Sequence, residues 1–91
     1  MVPRPISRVE MTSHFERSFG KLLQEIKDKA VRADVIFRSD AFDPRLSSHK
    51  LKGKLKGLWA YSVDSRHRIL FEFIGHDAAL YLDIGTHEIY G

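Results

Sequence analysis

The period at which apolar residues recur changes once along this chain, and that change constrains the fold more than any other feature. From Phe15 through Phe19, Leu22, Leu23, Ile26, Ala30, Ala33 and Ile36 to Phe37 the spacing is that of one stripe down a helix. After Gly57 it falls to two. Trp59/Tyr61/Val63, Ile69/Phe71/Phe73 and Leu80/Leu82/Ile84 then read as a single apolar sheet face. A helical half followed by a strand half predicts an α+β fold.

The punctuation sets the boundaries. Ile6–Met11 is a candidate first strand, after a loose, proline-containing segment 1–5. Thr12 or Ser13 is a candidate N-cap, and Glu16 stands three residues after Ser13, as in a capping box. Gly20 interrupts the stripe and weakens a helix. The reading is therefore a hairpin of two helices, about 12–21 and 23–38, closed by Ser39-Asp40 and the Asp43-Pro44 turn. Strands follow at Leu58–Val63, Arg68–Ile74 and Ala79–Ile84. The order β-α-α-β-β-β predicts an N-terminal strand and a helical hairpin packed on one face of an antiparallel sheet, four strands in all, with residues 1–91 as one domain. Ser62, Arg68, Leu70, Glu72, Tyr81 and Asp83 then fall on the uncovered face.

Composition excludes several classes. The chain has no cysteine, so disulfides and thiolate chemistry are absent. No apolar run approaches the ~20 residues of a membrane span, and the first residues carry no apolar secretory core. A reducing cytoplasm is the expected location. The net charge is only +3, yet Arg45–Arg68 carries seven Lys/Arg against one acid, Asp64. A local excess of this kind suits a phosphate-bearing or acidic partner at one face.

Within that segment Lys50, Lys52, Lys54 and Lys56 alternate, and an extended backbone puts all four on one side. They read either as a groove for a nucleic-acid backbone or as the lysines that keep an edge strand from aggregating. Arg68 reads either as a guanidinium stabilising charge on a phosphate or as an ion-pair partner of Glu72 or Asp83. None of the five histidines stands in a metal-ligand spacing, so neither metal nor cofactor is expected. His14 and His76 read as surface residues. His49 and His87 flank the sheet segment, and an imidazole pair suits metal-free RNA cleavage, one ring removing the 2′-hydroxyl proton and one protonating the leaving 5′-oxygen. Trp59, Tyr61, Phe71 and Phe73 read as core. Tyr90 is placed either to stack on a base or to pack on the sheet edge.

Four segments carry a resemblance: Phe42–Leu46 (FDPRL), Ser48–Trp59 (SHKLKGKLKGLW), His67–Phe71 (HRILF) and Leu82–Tyr90 (LDIGTHEIY). With them the chain resembles the RelE/ParE superfamily of toxin–antitoxin toxins, and most of all the YafQ- and YoeB-like mRNA interferases. The resemblance implies His49 as general base, Arg68 as transition-state stabiliser and His87 as general acid. It also implies Tyr90, Arg66, His67 and the four lysines as RNA contacts, Lys52 and Lys54 foremost. Ser62 stands where a YafQ-like protein has another histidine, and Arg66 where it has an acid. The implied activity is metal-independent endoribonucleolysis of mRNA on the ribosome, with mRNA, ribosomal RNA and a cognate antitoxin as partners and a monomeric free toxin. ParE-like relatives that poison DNA gyrase, and an inactive binding relative, are the alternatives.

Overall fold

The structure is a computed structural model that describes residues 2–90; Met1 and Gly91, the ends of the expected domain, lie outside the described residues. The strands are β1 (Arg8–Met11), β2 (His49–Lys50), β3 (Trp59–Ser62), β4 (Arg68–Gly75) and β5 (Ala78–Gly85), and the helices are α1 (Ser13–Gly20) and α2 (Gln24–Ser39). Short 3₁₀ turns occupy Pro44–Leu46, Gly53–Leu55 and His87–Tyr90. The sheet order is β1-β5-β4-β3-β2, with β1 parallel to β5 and the other pairs antiparallel. The expected α+β architecture is present, with a fifth strand, the two-residue β2, that the sequence pattern did not reveal.

The helix break falls at Gly20, the last residue of α1. Thr12, not Ser13, is the N-cap: its Oγ1 accepts from the Phe15 N–H at 3.0 Å and donates to the Leu82 carbonyl at 3.2 Å. One hydroxyl thereby satisfies a free helix donor and ties α1 to β5. The N-terminal segment is tied down at Arg4. The Arg4 amide donates to Asp40 Oδ1 at 3.0 Å, the Ala41 amide donates to the Arg4 carbonyl, and the Arg4 guanidinium lies 3.8 Å from the centre of the Phe73 ring. The first strand accordingly begins at Arg8 rather than Ile6, which is buried in the core.

Phe37 of α2 is the centre of the core and has no exposed surface. Its ring stacks on Tyr61 at 4.8 Å and meets the edges of Phe71 at 4.9 Å and Tyr81 at 5.6 Å. Trp59, Val63 and Phe73 pack around the same cluster. The third apolar strand face is a correction. Ala79, Tyr81 and Ile84 enter the core, while Leu80 and Leu82 are only half-buried. Phe71 pairs with Tyr81 but Leu70 with Asp83, so Leu82 is an extra residue. An inserted residue shifts the alternation by one, and every side chain before it changes face.

Tyr81 is a polar side chain in an apolar core, and it is hydrogen-bonded throughout. The Tyr61 hydroxyl donates to the Tyr81 hydroxyl at 2.9 Å, which donates to Asp34 Oδ1 at 2.7 Å. Asp34 is held in turn by Arg38 Nε at 2.9 Å. Burial first, then in Tyr81 the neighbouring Tyr61 and Asp34, drives both phenols far above their ordinary ionisation range. They therefore act only as neutral links in this chain of bonds. The order of donors gives an asymmetric prediction. Tyr81→Phe strands the Tyr61 hydroxyl and removes a donor from Asp34, costing about 1–3 kcal/mol. Tyr61→Phe leaves the Tyr81–Asp34 bond intact and costs about 1 kcal/mol or less. Urea unfolding of the two variants measures the difference.

Candidate active site

The β3–β4 connection is built by one carboxylate. Asp64 Oδ1 accepts from the Arg66 amide at 2.8 Å, the His67 amide at 2.7 Å and the His67 ring Nδ1 at 3.0 Å. A short acceptor that bonds the backbone two and three residues ahead is the usual device for closing such a turn. Burial alone raises the pKa of Asp64. The two amide donors and the His67 ring outweigh burial and hold it at about 2. Lys29 Nζ lies 3.7 Å from Oδ2 on the helix side.

This turn positions Arg68, the first residue of β4. Its Nη1 donates to the carbonyls of Asp64 at 2.7 Å and His67 at 3.0 Å. The ion pair with Glu72 or Asp83 that the sequence allowed does not form; Asp83 lies instead 3.1 Å from His14 Nε2. Among the described residues no carboxylate pairs with Arg68, so its full charge remains available. It lines a cleft of about 380 Å³ together with Ser65, Arg66, Thr86, His87 and Tyr90. The structure thus brings four expected residues, Arg66, Arg68, His87 and Tyr90, to one concavity. The His87 and Tyr90 rings meet edge to face, 6.0 Å apart.

His49 stands outside this cleft, on β2 at the sheet edge. Its partner is Ala60, which pairs with Leu70, whereas Arg68 pairs with Ser62. Two strand spacings of ~4.8 Å and two residues of ~3.4 Å separate the His49 and Arg68 Cα atoms, roughly 12 Å in all, on the same sheet face. The His49 Nδ1 is 3.0 Å from the Ser47 carbonyl oxygen. A carbonyl only accepts, so Nδ1 carries the proton, and in the neutral ring the exposed Nε2 bears the free lone pair. Ser47 reaches this arrangement through a left-handed backbone, φ 50°.

The lysine run is not an extended ribbon. Only Lys50 lies in a strand; Gly53 (φ 69°) and Gly57 (φ 96°) turn the chain into a loop, closed by the Leu51 amide on the Leu58 carbonyl. Lys50 pairs with Trp59 and lies 5.8 Å from its ring centre, on the helix-bearing face and away from Arg68. Lys52, Lys54 and Lys56 are exposed and form no ion pair among the described residues. His67 is likewise turned from the cleft, its ring bonded to Asp64. Arg45, counted in the basic segment, is clasped by Asp43 at 2.8 and 3.0 Å, which holds the Asp43 carboxyl at about 2.

Sequence reasoning missed Ser65 and Thr86 in the cleft lining and the organising role of Asp64. A signal for Asp64 was present, since an acid opening a four-residue connection before two basic residues is an Asx-turn pattern. Among the described residues no group of three or more His, Cys, Asp or Glu side chains is placed to hold a metal ion. No helix among them is long and apolar enough to cross a membrane.

No protein-family model matches the chain, and no curated protein matches its sequence. Solved structures do match its fold. A YoeB/ParE toxin from Agrobacterium tumefaciens superposes with a TM-score of 0.74 at 14% identity, over 88% of this chain and 98% of that one. YafQ from E. coli gives 0.66 at 17% identity, over 90% and 94%. The toxin–antitoxin complex RelBE2 from Mycobacterium tuberculosis gives 0.63 at 21% identity, over 94% and 100%. The chain has the fold of the RelE/ParE-like toxins.

Asp64 links the turn to acid stability. Its folded pKa lies below its ordinary value of 3.8. The stabilisation is complete above that value and is lost as the pH falls toward about 2. Asp64→Asn is predicted to lower stability at pH 7 by about 1–2 kcal/mol and to flatten the loss between pH 4 and pH 2, both read by urea unfolding across that range.

Proposed function

We propose that this chain is the toxin of a type II toxin–antitoxin pair and cleaves mRNA on the ribosome without a metal. The observation that carries the reading is the cleft in which an unpaired guanidinium, Arg68, meets an imidazole, His87, and an aromatic ring, Tyr90. Phosphoryl transfer through a 2′-hydroxyl needs a base, an acid and a cation for the charge on phosphorus. His49 Nε2 takes the 2′-hydroxyl proton from one side. The 2′-oxygen bonds to the adjacent phosphorus, Arg68 stabilises the charged oxygens, and the bond to O5′ breaks. His87, protonated, gives its proton to O5′. The products are a 2′,3′-cyclic phosphate and a 5′-hydroxyl.

The spacing suits this division of labour. His49 and His87 stand on opposite sides of Arg68, so an RNA strand laid across the sheet passes between base and acid. Tyr90 stacks on a base, and Arg66 with Lys52, Lys54 and Lys56 holds the backbone of mRNA and ribosomal RNA. Lys50 and His67 have no part in this contact. Residues 1–91 act as one domain, monomeric when free, in the cytoplasm. The inhibitory partner is an antitoxin, as in the Mycobacterium tuberculosis complex of the same fold.

Primer extension on ribosome-bound mRNA tests the assignment. His87→Ala is expected to slow cleavage by about 10²–10⁴-fold and Arg68→Ala by about 10²–10³-fold, with growth arrest relieved in both. Wild-type-like cleavage by either variant contradicts the role given to that residue. Loss of gyrase supercoiling with intact mRNA contradicts the whole reading and favours a gyrase poison.

A further inference from the structure

Gly85 closes β5 directly opposite Arg68 in the β4–β5 ladder. Glycine is not there for its backbone freedom, because the positive-φ glycines of the described residues are Gly53 and Gly57. It is there for space. A Cβ at position 85 would lie 2.8 Å from Ile89 Cγ2. Carbon atoms in contact sit about 3.5–4.0 Å apart, so even alanine requires an opening of roughly 1 Å. Gly20, Gly53 and Gly57 show no such contact; a Cβ at each meets nothing within 4 Å.

What must move is the turn that carries the chemistry. Ile89 belongs to the 3₁₀ turn His87–Tyr90, whose Ile89 amide donates to the Thr86 carbonyl at 3.0 Å. The Ile89 Cγ2 methyl sits on a β-branched carbon, whose χ1 is stiffer than that of a long unbranched side chain. An opening at Gly85 therefore carries the turn, and with it His87 and Tyr90, away from Arg68. We infer that Gly85 is a positioning residue: the missing side chain lets Ile89 seat the C-terminal turn against β5 and sets the distance from the His87 imidazole to the Arg68 guanidinium. The inference rests on the proposed ribonuclease function for its kinetic consequence, and on geometry alone for the placement.

A compensating pair of substitutions tests it. Gly85→Ala is expected to lower kcat on ribosome-bound mRNA by about 10–100-fold, the scale of a 1 Å misplacement, with KM little changed and thermal stability close to wild type. Ile89→Ala removes the opposing methyl, so the double variant G85A/I89A should return to the rate of I89A alone. Wild-type kcat in G85A, or a double variant as slow as G85A while I89A is active, overturns the inference. A loss in G85A matched by a large fall in Tm also overturns it, since the defect is then one of folding. If the wild-type protein cleaves no RNA, the functional reading fails and NMR decides the placement separately. Altered His87 and Tyr90 ring signals in G85A that revert in G85A/I89A support it, and unaltered signals overturn it.

Discussion

The extra residue at Leu82 in β5 sets the geometry of both halves of the molecule. Before it, Tyr81 faces the helices and joins Asp34 and Tyr61 in the core. After it, the alternation has shifted, Ile84 seals the core beside Ile69, and Gly85 arrives opposite Arg68. A regular strand could satisfy one of these demands but not both, since a strand alternates strictly by two. The bulge therefore lets one strand anchor the helices at one end and pair with Arg68 at the other. Thr12 reinforces the irregular stretch by bonding to the Leu82 carbonyl from the first turn of α1.

Charge management at the cleft follows a similar economy. Asp64 stands four residues before Arg68, yet it is saturated by two backbone amides and the His67 ring. Arg68 is oriented by the carbonyls of the same turn, which fix it without neutralising it. A carboxylate partner would have competed with an incoming phosphate for the guanidinium. The turn thus supplies a preorganised cation at the mouth of an open cleft, the arrangement that electrostatic stabilisation of a phosphorane requires. At the far edge His49 is oriented by a carbonyl as well, which leaves its outer nitrogen free to accept a proton.

Much of the fold was legible because period and punctuation agree. The helical stripe, the break at Gly20 and the two strands around Asp64–His67 follow from local pattern. Tyr81 was assigned to the wrong face because a bulge leaves no local mark: ALYLDI alternates plausibly in either register. The lysine run misled for a related reason, since alternation implies one-sidedness only if the backbone is extended, and Gly53 and Gly57 bend it. Strand β2 has two residues and no pattern of its own. At the site, Arg68, His87 and Tyr90 line one cleft, whereas Lys50 and His67 are drawn to Trp59 and Asp64 by contacts that spacing cannot reveal. Gly85 stood only as part of the LDIGTHEIY segment, and its close approach to Ile89 exists only in three dimensions.

On the function proposed above, the cleft between Arg68 and His87 directs a 2′-hydroxyl onto the neighbouring phosphate. The ends of the RNA fragments test it most directly. Purified protein, programmed ribosomes and end-labelled mRNA should yield fragments with 2′,3′-cyclic phosphate and 5′-hydroxyl termini, and none without ribosomes. Fragments ending in 3′-hydroxyl and 5′-phosphate, or no fragments at all from an intact protein, would contradict it.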